Sequence, residues 1–202
     1  DPNSFAEFGQ RARRNHPIAQ VYEPGSVFKI YSIGSLLHLG GVSVNDSFDT
    51  SGGSYQSGED FVISDLNDYG VIDVTEIIKY SSNVGAAMAS ETASAESFHR
   101  MLTLFGFGER TGVSLNGEER GLLKAPKEWS GRTQQTIAIG QEIGVTALQL
   151  VTAATVFANE GVLLRPQIVK RVVSSEGKTL RRFTREPVRE VLSPEVARSM
   201  LE

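Results

Sequence analysis

At 202 residues and 40% hydrophobic content, the chain can bury the core of one large domain or of a piece of one. Its net charge of -4 argues against a nucleic-acid partner, and the lack of cysteine excludes a disulfide frame and thiol chemistry. His16, His38 and His99 share no metal-ligand spacing, so neither a metal nor a cofactor is expected. In chain order, the breakers and periodicities predict a helix over 26–39 and an irregular Gly-, Ser- and Asp-rich excursion with a small hairpin over 40–70. Short helices follow over 74–80 and 84–90, then an amphipathic helix over 95–105 ended by Gly106. A turn-rich link over 108–124 precedes a second long core helix over 146–158, ended by Gly161. Two short strands are expected over 166–173 and 179–183, and Ser193-Pro194-Glu195 opens a final helix with proline at its first position. The longest uncharged run, 143–159, carries Thr146, Gln149, Thr152 and Thr155, which marks a buried core helix rather than a lipid-facing one. The arginine clusters at Arg11, Arg13, Arg14 and at Arg181, Arg182, Arg185 read as solvated faces.

The chemistry-bearing stretch is Tyr22-Glu23-Pro24-Gly25-Ser26-Val27-Phe28-Lys29. Pro-Gly stops what precedes it, which places Ser26 at a helix N-terminus with Lys29 one turn on, on the same face. A serine becomes a nucleophile only when a neighbour takes its proton, and a buried, partly neutral lysine does so. At an unperturbed pKa about one lysine in 2,500 is neutral at pH 7, so burial has to lower that value. The positive end of the helix favours the oxyanion that attack creates. Spacing alone proves little, since on the order of one S-x-x-K arises by chance in a chain this long. A second copy, Ser175-Glu176-Gly177-Lys178, is the comparison case: its polar context between two apolar segments reads as a hairpin tip, with no helix to bury the lysine.

Glu23-Pro24-Gly25-Ser26-Val27-Phe28-Lys29, with Asp1-Pro2-Asn3 and Arg14-Asn15 before it, closely resembles the active-site region of class B penicillin-binding proteins, the peptidoglycan transpeptidases of cell division and elongation. The resemblance implies a second motif, S-x-N, for which Ser43-Val44-Asn45, Ser81-Ser82-Asn83 and Ser114-Leu115-Asn116 are candidates. The middle one fits: Asp73 and Glu76 form a capping box for the helix that leads to it, and Asn83-Val84-Gly85 continues the family pattern. By resemblance, Ser81 relays a proton between Lys29 and the leaving amine, and Asn83 holds Lys29 and the substrate amide; Ser82 is read as substrate-binding, and Gln141 either lines the cleft or caps a helix. The departing amine must be protonated, which a hydroxyl beside a lysine allows.

The family's third motif, K-T-G or K-S-G on a strand, does not appear. Arg110-Thr111-Gly112 lies in a loop and Lys178-Thr179-Leu180 lacks the glycine. In the family that motif follows a segment similar to Leu192-Ser193-Pro194-Glu195-Val196-Ala197, and Asp1-Pro2-Asn3 normally follows a pedestal domain and a membrane anchor. The implied fold is therefore α+β: residues 1–202 are the mostly helical part of a penicillin-binding-protein/serine β-lactamase-like transpeptidase domain, with most strands of its central antiparallel sheet outside this chain. The absence of an initiating Met fits a piece of a longer protein. The resemblance further implies peptidoglycan stem peptides as substrate, β-lactam antibiotics as acylating ligands, a cell-wall synthesis complex as partner, and a place on the extracytoplasmic face of the bacterial inner membrane. Unless a second chain or fragment supplies the missing strands, which the sequence leaves open, the chain should be a weak enzyme. One departure stands out: where the family often reads Gly-x-Gly, this chain has Gly140-Gln141-Glu142, which puts the bare-backbone geometry of that loop in question. Two rival readings remain. A serine β-lactamase needs a positioned deacylation base, and Glu118, Glu119 and Glu142 lack the expected context; a non-catalytic β-lactam sensor or scaffold keeps Ser26 without turnover.

Overall fold

The computed structural model describes residues 3–58 and 61–202, so Asp1 and Pro2 of the N-terminal match, and the side chain of Arg11, lie outside the described residues. The helices are α1 (His16–Ala19), α2 (Lys29–Leu39), α3 (Val74–Tyr80), α4 (Asn83–Ser90), α5 (Ala95–Leu104), α6 (Thr133–Ala138), α7 (Ala147–Ala158) and α8 (Pro194–Ser199). The strands form antiparallel pairs: β1 (Ser47–Asp49) with β4 (Val71–Asp73), β2 (Ser54–Gln56) with β3 (Val62–Ser64), β5 (Val162–Leu164) with β8 (Pro187–Glu190), and β6 (Arg171–Val173) with β7 (Thr179–Arg182). Among the described residues no sheet is wider than two strands, so the chain is a mostly helical α+β unit. None of its described helices is long and apolar enough to cross a membrane.

Helix α2 runs through the centre. It is entered by a 3-10 turn over Gly25–Phe28, so the helix expected over 26–39 is a tight turn continued as an α-helix. Phe28, Ile33 and Leu36 are fully buried, and Phe28 and Tyr31 pack on Phe107 at ring-centroid distances of 4.8 and 5.1 Å. Phe105 and Phe157 complete the aromatic cluster against Tyr31. Such pairs contribute about 0.5–1.5 kcal/mol each beyond the area they bury. The one polar atom in that cluster is satisfied: Tyr31 Oη donates to the Leu150 carbonyl at 2.7 Å, tying α2 to α7. Burial pushes the ionisation of this phenol far up, so it serves only as a neutral donor.

Local signals account for most element ends. Asp73 and Glu76 form the expected capping box, Thr146 and Gln149 form another at α7, and the Ser193 hydroxyl accepts from Val196 N–H at the start of α8. The excursion over 40–70 holds the expected small hairpin, β2–β3, nested inside a second ladder that pairs β1 with β4 just beyond it, with Tyr55 opposite Ile63 and Phe48 opposite Ile72. The strand expected over 166–173 shortens to Arg171–Val173, and with Thr179–Arg182 it makes the predicted hairpin, whose tip carries the second S-x-x-K. Helix α6 falls in a stretch where no helix was expected.

Candidate active site

Ser26 sits on the exposed side of the 3-10 turn, whereas Lys29, one turn on, is 2% exposed. The Lys29 amine lies 3.0 Å from Ser26 Oγ, 2.7 Å from the Ser81 carbonyl, 3.1 Å from Ser81 Oγ and 2.8 Å from Asn83 Oδ1. Four oxygens from two distant segments thus converge on one nitrogen. An ammonium has three hydrogens for these four oxygens. A neutral amine has two hydrogens and one lone pair, and the lone pair can accept the Ser26 hydroxyl proton. Desolvation lowers the Lys29 pKa to about 8, with the Asp65 carboxylate pulling the other way. At that value about one amine in ten is neutral at pH 7, instead of one in 2,500.

The turn between α3 and α4 presents Ser81. This residue adopts φ 57°, ψ 39°, a left-handed conformation that costs a non-glycine residue about 1–2 kcal/mol. The conformation closes α3, with Ser81 and Ser82 N–H donating to the Ile78 and Ile77 carbonyls, and it aims both oxygens of Ser81 at Lys29. Asn83 begins α4. Its Nδ2 donates to the Ser64 carbonyl at 2.9 Å, which fixes the amide so that Oδ1 faces the lysine.

Ser82 is placed differently from the expectation that it lies on the substrate side. It is fully buried, its hydroxyl donates to Asp65 Oδ2 at 2.6 Å and accepts from Gly85 N–H at 2.8 Å, and it caps α4. That geometry gives it a structural task and leaves no face for substrate. Gln141 is exposed, and its N–H donates to the Thr136 carbonyl at the end of α6.

The loop after α6 braces the nucleophile turn. Gly25 N–H donates to the Gly140 carbonyl at 2.9 Å, and the Ser32 hydroxyl donates to the Ala138 carbonyl at 3.0 Å. Gly140 has φ +82°, and a methyl built there would lie 2.7 Å from both the nitrogen and the carbonyl carbon of Gly25, so only glycine allows this approach. Glu142, the departure noted in the sequence, adopts a left-handed backbone, at φ 56°. Its carboxylate accepts from Thr133 Oγ1 at 2.9 Å and Thr136 Oγ1 at 3.0 Å, and its N–H donates to Glu23 Oε1 at 2.9 Å. Side-chain anchors thus hold the loop at Glu142.

The decoys are elsewhere. Arg110-Thr111-Gly112 is irregular backbone, fastened by the Glu118 carboxylate, which accepts from Thr111 N–H at 2.7 Å and Gly112 N–H at 3.3 Å. Glu118 is thereby committed to its own loop. Ser175 and Lys178 lie at the exposed hairpin tip. No group of three metal-ligating side chains occurs among the described residues.

A serine and a lysine one turn apart are joined by a second serine and an asparagine from an S-x-N turn. The family model that matches the chain, over residues 1–202, is Penicillin binding protein transpeptidase domain. The chain belongs to the penicillin-binding protein transpeptidase family. Penicillin-binding protein PbpB of Mycolicibacterium smegmatis is 33% identical over 205 residues, covering 99% of this chain and 31% of that protein. The probable peptidoglycan D,D-transpeptidase PenA of Neisseria flavescens is 31% identical, over 95% of this chain and 48% of its own length. Among solved structures, penicillin-binding protein 3 of Mycobacterium tuberculosis complexed with aztreonam superposes with a TM-score of 0.82 at 31% identity, covering 95% of this chain and 44% of that one. The chain thus spans from about a third to a half of the length of these relatives. They place it with the class B penicillin-binding proteins, as its motifs implied, and in the penicillin-binding transpeptidase fold.

Asp65 is the site residue that sequence reasoning missed. Its carboxylate accepts from Ser82 Oγ, from Asn83 N–H and, at 3.0 Å, from Val84 N–H. The available signal was an aspartate closing a short apolar strand in an otherwise polar excursion, which reads equally well as a turn residue.

Proposed function

We propose that the protein of which this chain is part is an acyl-serine D,D-transpeptidase of peptidoglycan. Ser26 attacks the D-Ala-D-Ala amide of a stem peptide, D-alanine leaves, and the acyl group passes to the amine of a neighbouring stem. The observation that carries the reading is the Lys29 amine held at once against Ser26 Oγ, Ser81 Oγ and Asn83 Oδ1. Neutral Lys29 takes the Ser26 proton, Ser81 conducts it to the departing amine, and Asn83 holds the lysine and the substrate amide. Ser26 N–H, in the first turn of the helical segment, has no helical partner and supplies an oxyanion donor. Residues 1–202 carry no K-T-G or K-S-G to add a second donor, so alone they should turn over slowly, by about 100- to 1,000-fold.

β-Lactams acylate Ser26 under this reading, in keeping with the aztreonam complex of the mycobacterial relative. The substrate places the protein outside the cytoplasm, working with other cell-wall synthesis components, and the strands absent here come from another segment or chain. The test is release of D-alanine from a D-Ala-D-Ala stem-peptide mimic. Release that disappears in Ser26→Ala supports the reading, and release unaffected by that change contradicts it. A penicilloyl adduct that persists while no D-alanine appears would favour the sensor reading.

A further inference from the structure

Two consecutive residues at the end of β3 grip the S-x-N turn. The Ser64 carbonyl accepts from Asn83 Nδ2 at 2.9 Å, while the Asp65 carboxylate takes Ser82 Oγ at 2.6 Å, Asn83 N–H and Val84 N–H. Asp65 is itself tied back, its N–H donating to the Gly53 carbonyl at 2.9 Å. Every polar group of the Asn83 side chain and its N–H is thus engaged: two on the Ser64–Asp65 pair and the third, Oδ1, on Lys29. Ser82, whose hydroxyl bridges Asp65 and Gly85 N–H, transmits the hold to the start of α4. Among the described residues Asp65 forms no salt bridge, and its negative charge faces the Ser82 hydroxyl, the N–H groups at the start of α4 and the nearby lysine.

We propose that Asp65 is a positioning residue for acylation, holding Ser82, Asn83 and Val84 so that the Asn83 amide and both oxygens of Ser81 stay on Lys29. The proposal rests on the acyl-serine reading above but assigns a residue from outside its motifs. Its charge has a second consequence. The hydrogen-bond partners of Lys29 are the neutral Ser26, Ser81 and Asn83, and Asp65 is the ionised group among the described residues that acts on it. Asp65 favours the ammonium, opposing the desolvation that favours the amine. The same carboxylate that holds the turn therefore works against the burial that frees the base.

Asp65→Asn keeps the shape, removes the charge and leaves the Ser82 hydroxyl proton without its acceptor. The rate of acylation by a fluorescent penicillin is measured from pH 5.5 to 9.5 for wild type, Asp65→Asn and Asp65→Glu, with melting temperatures alongside. For Asp65→Asn the high-pH plateau should fall by about 10- to 100-fold as the turn loosens, and the acid limb should move to lower pH because Lys29 loses its favourable neighbour. Asp65→Glu keeps the charge, so its limb should stay near the wild-type position while its plateau falls. A limb unmoved in Asp65→Asn, with a plateau that is unchanged or drops only with the folded fraction, would overturn the proposal. NMR titration of Lys29 Cε in wild type and Asp65→Asn gives a readout independent of turnover. A downward shift with displaced Asn83 side-chain amide signals upholds the hold on Lys29 even if wild type fails to react with penicillin, a failure that sinks the transpeptidase reading alone.

Discussion

Replacing Gly140 with alanine isolates the contact that braces the nucleophile turn. The new methyl would run into the Gly25 carbonyl oxygen and sit 2.7 Å from the Gly25 nitrogen and carbonyl carbon, where non-bonded contact needs about 3.5 Å, so the two backbones must separate by roughly 1 Å. That separation breaks the 2.9 Å bond from Gly25 N–H to the Gly140 carbonyl, worth about 1 kcal/mol. Holding alanine at φ +82° adds about 1–2 kcal/mol, for a loss of about 2–3 kcal/mol in urea unfolding. The kinetic effect should be larger, since a displacement of about 1 Å in a reacting group costs about 100-fold in rate. Gly25→Ala is the control: Gly25 also has positive φ, at +64°, but nothing lies within 4 Å of a methyl there, so it should show backbone strain without the clash. The assay is the time course of penicilloylation by intact mass. An unchanged rate in Gly140→Ala, or an equal loss in both variants, would refute the argument that close approach of these two glycines places Ser26.

Three further outcomes follow from the same geometry. Acylation should rise about tenfold between pH 7 and pH 9, because the base is neutral Lys29 with a pKa of about 8 and protonation below that value removes it; a rate flat across this range in stopped-flow measurements would exclude the lysine as base. Ser82→Ala should cost about 1–2 kcal/mol in chemical denaturation, through loss of the α4 cap. If Ser82 instead touches substrate, stability would hold and the substrate KM would rise. Ser175→Ala with Lys178→Ala, at the exposed hairpin tip, should leave both acylation and stability unchanged; any loss of labelling there would mean that Ser26 and Lys29 are not the reacting pair.

The parts of this architecture that were legible in the sequence are those fixed by local chemistry. Pro24-Gly25 stops the chain before Ser26, Asp73 and Glu76 start α3, and Ser193-Pro194 starts α8, each within a few residues. The Ser26–Lys29 contact is legible for the same reason, since residues three apart share a face in a 3-10 turn as in an α-helix. What was not legible depends on long-range partners. Helix α6 is Thr-Gln-Gln-Thr-Ile-Ala, with no apolar periodicity; its Thr133 and Thr136 hydroxyls are buried on Glu142 and only the fold supplies that partner. Strand β5 finds β8 across more than twenty residues, and β1 finds β4 around a nested hairpin. Asp65 reaches the S-x-N turn over seventeen residues, and nothing local distinguishes it from Asp68, which accepts instead from Gly52 and Gly70 N–H. The placement of Ser82 is a related case. Its position in the motif suggested a role at the cleft, but as N-cap of α4 it must turn its hydroxyl inward.

The most direct test of the central claim is the intact mass of the purified chain after incubation with benzylpenicillin, followed by peptide mapping, with Ser26→Ala alongside. An adduct of one penicillin, mapped to Ser26 and lost in the alanine variant, is the predicted result. An adduct on another residue, or one that survives Ser26→Ala, would contradict the assignment of Ser26 as the nucleophile that Lys29 activates.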